Sequence, residues 1–294
     1  MAGRAPVEAA ALRRILAAQR PAWADLPIRP AAPGGTDNAI FRLGDELCLR
    51  VPLGPGPAAL LQSELAWLPR LRHRLPIEVP EPVAALAPGP ESPWPIAVYR
   101  WLEGESAAGR DPRDIQGAGG DLGRFIAALQ RVDLPGGPPT GPDQTRGRPL
   151  AVLDGEVRGA IRLLAGAMDA AALAERWEEA LRLPPHEGRP VWLHADIHPA
   201  NLLLRHGRLH AVLDFGTAGV GDPACDLMAA WTVLTAQDRP ALRAEVAADD
   251  ATWARGRAWA LAWALIAHAY YRTRDHVLGP ISGRTLQEIL ADRD

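Results

Sequence analysis

Apolar and polar positions alternate differently in the first hundred residues and in the rest of the chain. Two stretches repeat apolar residues at the three-to-four residue spacing of a helix, and three stretches alternate as strands do. The predicted helices cover residues 7–20 and 58–72, and the predicted strands lie within 39–53, which turns at Gly44-Asp45, within 76–86 and within 95–105. The first hundred residues therefore predict a small antiparallel α+β unit.

Helical spacing dominates after Gly104, over residues 120–133, over about 153–183 and through most of the remainder. Two short apolar segments within 191–214 interrupt it, and they predict strands that bracket a polar loop, with a hairpin turn at His206-Gly207. The pattern predicts an α+β chain with two lobes, a sheet-containing lobe over 1–102 and a larger, mainly helical lobe over 103–294.

Charge and composition narrow the class of protein. The chain has 32 basic and 35 acidic residues and a formal net charge of −3, which argues against bulk electrostatic binding to nucleic acid or to an anionic membrane. Every basic residue is an arginine, so no lysine can act as a base or as a phosphate ligand. The longest apolar run has ten residues, no signal-peptide pattern opens the chain, and the two cysteines are far apart. We therefore expect a cytoplasmic protein.

The densest group of polar residues lies in 191–227, HADIHPANLLL followed by VLDFGTAGVGDPACDL. A loop between strands carries Asp196 and Asn201, and the predicted hairpin returns Asp214 beside them. Carboxylate and amide oxygens are hard ligands that suit Mg²⁺, and the remaining carboxylate can accept a proton from a hydroxyl nucleophile. This combination is typical of metal-assisted phosphoryl transfer.

These motifs resemble the aminoglycoside phosphotransferase family, whose small-molecule kinases have a protein-kinase-like fold with two lobes. The likeness rests on His194-Ala195-Asp196 with Asn201, on the Asp-Phe-Gly that begins at Asp214, and on the GDPxxDL that ends in 226–227. The resemblance implies ATP as donor, without excluding GTP, and Mg²⁺ as cofactor. It implies that Asp196 is the catalytic base and that Asn201 and Asp214 bind the metal.

The resemblance also assigns nucleotide-binding residues in the first lobe. Arg50 stands where kinases carry the strand lysine that contacts the phosphates, and Glu64 is the candidate partner for its charge. Backbone N–H groups of a Gly-rich loop would cover the triphosphate, and the segment 98–102 would lie beside the adenine. The further residues implied are Gly35, Thr36, Asp37 and Asn38 on the loop, and Arg100 and Leu102 in that segment.

The length between motifs indicates the kind of acceptor. Asp226 follows Asp214 by only twelve positions, too few for the activation segment with which protein kinases bind a peptide. We therefore expect a hydroxyl group of a small molecule, an aminoglycoside or a similar antibiotic. Residues 238–294 contain eight acidic residues and eight arginines, no surplus of the kind that a polycation would favour. A macrolide or a non-antibiotic metabolite is the alternative acceptor.

Two functions of other classes fit part of the pattern. His194, Asp196, His198 and Asp214 have the residue types of a metal-dependent hydrolase site. A nucleotide-binding pseudokinase is the other alternative, because Ala195 stands where the family usually has glycine and Arg50 replaces lysine. The oligomeric state has no signature in the sequence.

Overall fold

A computed structural model describes residues 8–31, 37–140 and 145–292 of the chain. The fold divides into two units. Unit 1 comprises Met1–His73, Val79–Glu103 and Asp214–Thr217, and unit 2 comprises Arg74–Glu78, Gly104–Leu213 and Ala218–Asp294. Two short segments thus belong to a different unit from their neighbours in sequence, while the predicted division at 102/103 stays a prediction.

Unit 1 contains a five-stranded sheet. Its helices and strands are α1 (Ala9–Gln19), β1 (Ile28–Pro30), β2 (Asn38–Leu43), β3 (Leu47–Pro52), α2 (Pro55–Leu71), β4 (Pro82–Leu86) and β5 (Ile96–Arg100). The strands lie in the order β1-β2-β3-β5-β4, with every neighbouring pair antiparallel. Strands β2 and β3 form a hairpin whose turn begins at Gly44, with a φ of +60° that favours glycine. This confirms the predicted turn.

The pleat of β3 separates apolar from charged side chains. Leu49 and Val51 are fully buried and pack in a core with Leu12 and Leu16 of α1. Because successive side chains point to opposite faces of a strand, Arg50 lies on the other face. The apolar alternation of the hairpin thereby places one arginine in the interior of unit 1 without placing it in the apolar core.

Unit 2 is mainly helical, and its longest helix packs against several others. Its elements are β6 (Glu105–Ser106), α3 (Ala118–Gln130), α4 (Asp154–Leu164), α5 (Ala170–Leu181), β7 (Val191–Leu193), β8 (Leu202–Arg205), β9 (Arg208–Val212), β10 (Gly219–Gly221), α6 (Ala229–Thr232), α7 (Arg239–Val246), α8 (Asp250–Tyr271) and α9 (Leu278–Ala291). The helical stretch expected over 153–183 is two helices. Gly166, with a φ of +86°, breaks it, and Asp169 caps α5 by accepting from the Ala172 amide.

Short strands of unit 2 position the polar loop. Strand β7 pairs with β10, and β8 pairs with β6 and β9. The β8–β9 hairpin turns at His206 and Gly207, both with positive φ, as a two-residue turn requires. The hairpin prediction is confirmed, and residues 194–201 form the loop between β7 and β8. The sheet and the helices together confirm the predicted α+β class.

None of the helices in the described part of the chain combines the length and the apolar character that crossing a membrane requires.

Candidate active site

The loop between β7 and β8 is held by a buried carboxylate. Asp226 is fully buried, and its two oxygens accept from the backbone N–H groups of His194 at 2.8 Å and of Ala195 at 2.7 Å. Burial raises the pKa of the Asp226 carboxyl, while the nearby His194 imidazole and the two N–H donors favour its ionised form. Asp226 therefore fixes the backbone at the start of the loop.

The His194 ring ties the two ends of the motif region together. Its Nε2 lies 2.9 Å from the Leu213 carbonyl oxygen, and its Nδ1 accepts from the Asp196 amide at 3.2 Å. The Leu213 amide in turn donates to the Asn201 carbonyl at 2.8 Å. The loop is thus bonded to the residue that directly precedes Asp214 in the chain, and both nitrogens of the His194 ring are used in doing so.

Three side chains surround the Asp196 carboxylate. Arg146 Nη1 lies 2.5 Å from Oδ1, while Asn201 Nδ2 and His198 Nε2 lie 3.2 Å and 3.4 Å from Oδ2. Burial alone would raise the pKa of Asp196, but the Arg146 guanidinium and the His198 imidazole outweigh it and hold that pKa well below its usual value. The carboxylate is therefore ionised and fixed in direction, which suits an acceptor of hydrogen bonds.

The His198 ring is buried beside this carboxylate. Its ring centroid lies 5.2 Å from that of Trp263 on α8, at a tilt of 32°. Its Nδ1 has no hydrogen-bond partner among the described residues. His198 therefore links the polar loop to an aromatic side chain of the helical core.

Two residues of the site have left-handed backbone although neither is glycine. Ala195 has a φ of 66° and Asp214 a φ of 64°. Such a conformation costs a side-chain-bearing residue roughly 1–2 kcal/mol. At Ala195 two hydrogen bonds hold this backbone conformation. The Ala195 N–H donates to the Asp226 carboxylate, and Arg146 donates to the Ala195 carbonyl oxygen. The departure from the family's usual glycine is therefore accommodated by its surroundings.

The GDPxxDL segment explains how Arg146 reaches the loop. The Gly147 backbone passes against Gly221, so close that a Cβ on Gly221 would lie 2.8 Å from the Gly147 carbonyl oxygen. That oxygen accepts from the Asp222 amide at 2.8 Å. The Asp222 carboxylate forms a buried pair with Arg255, with its nearest contact at 2.8 Å. The segment that carries Arg146 is therefore locked to β10 by two glycines and one backbone bond.

Because the Gly147 backbone packs so closely against Gly221, a side chain at position 147 is predicted to destabilise the fold. Gly147 has a φ of +70°, and an added Cβ would lie 2.8 Å from Leu193 Cδ1. We expect Gly147→Ala to lower the free energy of unfolding by about 2–4 kcal/mol, through overpacking and backbone strain together. Gly155→Ala is the matched control, because Gly155 lies in α4 with nothing near its added Cβ. Chemical denaturation of both variants measures the difference, and equal effects would contradict the packing argument.

A second polar group lies in unit 1, around Arg50. Its Nη1 donates to Glu64 Oε2 on α2 at 2.8 Å, and its Nη2 donates to Asp214 Oδ1 at 2.5 Å. The Tyr99 hydroxyl on β5 donates to the other Glu64 oxygen at 2.5 Å. The Asn38 amide oxygen, in the orientation that pairs acceptor with donor, accepts from Arg50 Nε and Nη2 at 3.1 Å. The predicted Arg50–Glu64 pair is thus present, within a larger network.

Burial sets the electrostatics of this group. The Glu64 side chain is fully buried, and Arg50 is 12% exposed, whereas Asp214 is 41% exposed. Burial raises the pKa of Glu64 and the Arg50 guanidinium opposes that rise. Asp214 is therefore the member of the network whose carboxylate is most exposed to solvent.

The other predicted nucleotide-binding residues are distributed as follows. Gly35 and Thr36 lie outside the described residues. Asp37 directly precedes β2, and its carbonyl accepts from the Leu53 amide at 2.9 Å. Arg100, at the end of β5, is exposed and pairs with Glu81 at 3.3 Å, and Leu102 follows it with intermediate exposure. None of these contacts tests a nucleotide-binding role.

Sequence reasoning missed Tyr99 and Arg146. Tyr99 lies within the segment 98–102 that was predicted to lie beside the adenine, and nothing in the sequence indicated its bond to Glu64. Arg146 lies in a Pro- and Gly-rich segment without periodicity, so nothing in the sequence connected it with Asp196.

The donor atoms present suit a hard divalent cation bound jointly with phosphate. The Asn201 nitrogen is turned to Asp196, at 2.9 Å from its carbonyl and 3.2 Å from its carboxylate, so the amide oxygen is the atom that a cation would use. In unit 1, Asp214 has a partly exposed carboxylate. Mg²⁺ takes few protein oxygens and fills its shell with water and phosphate, and amide and carboxylate oxygens are donor types that it accepts.

A hydrolase site would need a different arrangement. Within the described ranges, no group of three or more His, Cys, Asp and Glu side chains is placed to hold a metal ion. His194, which that alternative requires as a ligand, has both ring nitrogens in hydrogen bonds to the backbone.

A loop aspartate with an asparagine five residues on, followed by an Asp-Phe-Gly, defines an enzyme of the phosphotransferase class. Residues 28–259 match the sequence model of the phosphotransferase enzyme family abbreviated APH, and the chain belongs to this family. The match confirms the predicted family and the prediction of a small-molecule kinase. None of the curated proteins compared with the chain matches it.

Solved structures share the fold over nearly the whole chain. The GDP complex of wild-type aminoglycoside 2′-phosphotransferase-IIIa has a TM-score of 0.73 at 17% identity, covering 95% of this chain and 97% of that one. ADP-bound aminoglycoside phosphotransferase APH(2″)-Ib has a TM-score of 0.61 at 15% identity, covering 97% of each. A macrolide 2′-phosphotransferase from Brachybacterium faecium has a TM-score of 0.62 at 23% identity, covering 94% and 97%. The likeness confirms the predicted kinase-like fold.

Proposed function

We propose that this protein transfers the γ-phosphoryl group of ATP to a hydroxyl group of a small-molecule antibiotic. The observation that carries the proposal is the Asp196 carboxylate, held ionised and fixed by Arg146, Asn201 and His198 in a chain of the phosphotransferase family. An oriented carboxylate can align a hydroxyl for attack and take its proton as the new phosphate ester forms.

Asn201 and Asp214 would hold Mg²⁺ together with phosphate oxygens. Bound there, the ion would neutralise charge that develops on the transferred group. Within unit 2, Asn201 is bonded to Asp196, and Leu213, which precedes Asp214 in the chain, is bonded to both His194 and Asn201. Positioning of this kind supplies most of the rate in phosphoryl transfer.

Arg50 is the phosphate-binding cation of the proposal. A guanidinium is always charged and can bind phosphate through two parallel hydrogen bonds, so it can replace the usual lysine. Glu64 and Asn38 fix the direction of the Arg50 side chain, and the Tyr99 hydroxyl holds the other oxygen of Glu64. The proposal keeps the loop residues Gly35, Thr36, Asp37 and Asn38 over the triphosphate, and Arg100 and Leu102 beside the base.

The donor is ATP in this proposal, and GTP is the alternative to be tested. Two solved structures similar in fold contain GDP and ADP respectively. Contacts to the base through backbone atoms leave no side-chain signature that separates the two nucleotides.

An aminoglycoside is the first candidate acceptor, because two of the structures similar in fold are aminoglycoside phosphotransferases. A macrolide or a non-antibiotic metabolite is the second, and a specific observation favours it. Apart from Asp275, each described carboxylate after residue 237 already has a partner in an arginine, a hydroxyl or a helix-terminal amide. The His198 ring lies beside Asp196 and packs against Trp263, and this aromatic pair suits an apolar face of an acceptor better than a polycation.

Phosphate transfer from γ-labelled ATP and GTP to a panel of hydroxyl compounds tests the proposal. The panel contains kanamycin, gentamicin, streptomycin and erythromycin, with Mg²⁺ present or chelated. We expect label on at least one compound, only with Mg²⁺. Nucleotide binding without transfer to any member would overturn the antibiotic acceptor and would leave the metabolite kinase and the pseudokinase as the alternatives. Chelator-resistant bound zinc would support the hydrolase.

A further inference from the structure

Arg146 makes two bonds to consecutive residues of the catalytic loop. Its Nη1 donates to the Ala195 carbonyl oxygen and to Asp196 Oδ1. One bond therefore holds backbone and the other holds a side chain. Both bonds come from the same nitrogen of a guanidinium that is always charged, so Arg146 ties the Asp196 carboxylate to the backbone of the preceding residue.

The rest of the molecule keeps Arg146 in place. The adjacent Gly147 is locked against Gly221 and bonded to the Asp222 amide, and Asp222 is itself paired with the buried Arg255. The Arg146 side chain is 28% exposed, so it is partly covered although it comes from a loop. The same GDPxxDL segment thus supports the catalytic loop twice, directly through Asp226 and indirectly through Arg146.

We propose that Arg146 is a positioning residue of the transfer reaction. It holds Asp196 Oδ1, and it thereby leaves Oδ2 on the side of Asn201 and His198 as the oxygen that meets the acceptor hydroxyl. Arg146 acts through Asp196 and has no contact with reacting atoms in this assignment. The effect of Arg146 on the transfer rate rests on the proposed function, whereas its hold on the orientation of the Asp196 carboxylate does not.

The experiment compares Arg146→Gln and Arg146→Lys with Arg148→Gln. Arg148 is the matched control, because it lies two residues away in the same segment and is exposed. We expect Arg146→Gln to lower kcat about 100-fold, since a displacement of about 1 Å at a reacting group has that cost, with the KM for nucleotide within threefold of wild type. The lysine variant keeps the positive charge and can donate to the same oxygens from a shorter side chain, so it is expected to recover part of the rate. Arg148→Gln has wild-type kinetics.

A double-mutant cycle with Asp196→Asn separates positioning from a general structural role. We expect Arg146→Gln to change the residual kcat less than threefold once Asp196 is replaced, because the residue then has nothing to position. An equal loss in both backgrounds would overturn the proposal.

Crystal structures of wild type and Arg146→Gln give a readout that needs no acceptor. We expect the Asp196 carboxylate to leave its wild-type orientation in the variant, and an unchanged orientation would overturn the proposal. If wild type transfers phosphate to no compound while the carboxylate still moves, the proposed function fails and the positioning role stands.

Discussion

Asp196→Asn is expected to lower kcat for phosphate transfer by about 10²–10⁴-fold, the range that proton transfer by a positioned side chain contributes. The amide keeps the size of the carboxylate and removes its charge and its ability to take a proton. Nucleotide affinity is expected to stay within twofold of wild type. Steady-state kinetics with the acceptor identified in the panel, together with nucleotide titration, measures both quantities.

Asp133→Asn is the matched control for this variant. It makes the same chemical change at a carboxylate of unit 2 that is 82% exposed and paired with the equally exposed Arg189. Wild-type kcat is expected for it. A loss at Asp196 of less than tenfold, with thermal melting unchanged, would contradict the assignment of Asp196 as the base.

Arg50→Met is expected to lower the free energy of unfolding by about 3–5 kcal/mol, because it leaves the buried Glu64 carboxylate without its cation. Denaturant titration measures the loss. Adding Glu64→Gln is expected to restore a large part of it, since the amide needs no counter-charge. Arg29→Met, at an exposed arginine of β1, is the control and is expected to change stability by less than about 0.5 kcal/mol.

The same variant has an expected pH dependence. Burial raises the pKa of Glu64 above its unfolded value, and removing Arg50 raises it further. A raised carboxyl pKa means that stability is fully present below the unfolded value of about 4.3 and is lost as pH rises through the folded value. The cost of Arg50→Met is therefore expected to be smaller near pH 5 than near pH 8, and a cost that falls with rising pH would contradict the assignment.

Local signals made part of the structure predictable from sequence. The hairpin turn at His206-Gly207 places two residues at positive φ, and a glycine between two apolar segments predicts such a turn. Arg50 and Glu64 are fourteen residues apart on a strand and the following helix, so their pairing depends on little of the remaining chain. The break at Gly166 was signalled by that glycine and by Asp169, but helical spacing on both sides obscured it.

Contacts between distant segments were not predictable. Arg146 precedes Asp196 by fifty residues, and its approach depends on two glycines crossing at positions 147 and 221. Tyr99 follows Glu64 by thirty-five residues, and β5 is buried from Ile96 to Tyr99, so its pattern does not indicate which carboxylate lies beside the hydroxyl. In both cases the sequence gives residue types, and the partner is fixed only by tertiary packing.

The Arg50 network has a consequence for chemical detection of the enzyme. Nucleotide analogues with an acyl phosphate label kinases by transferring their acyl group to the amine of a lysine near the phosphates. In the proposed nucleotide site that position is taken by the guanidinium of Arg50, which is bound to Glu64 and Asp214, and the chain has no lysine at all. Because a guanidinium stays protonated and is a poor nucleophile, such amine-directed probes are expected to bind this kinase without labelling it. Surveys of cell extracts that rely on lysine acylation would therefore leave it uncounted.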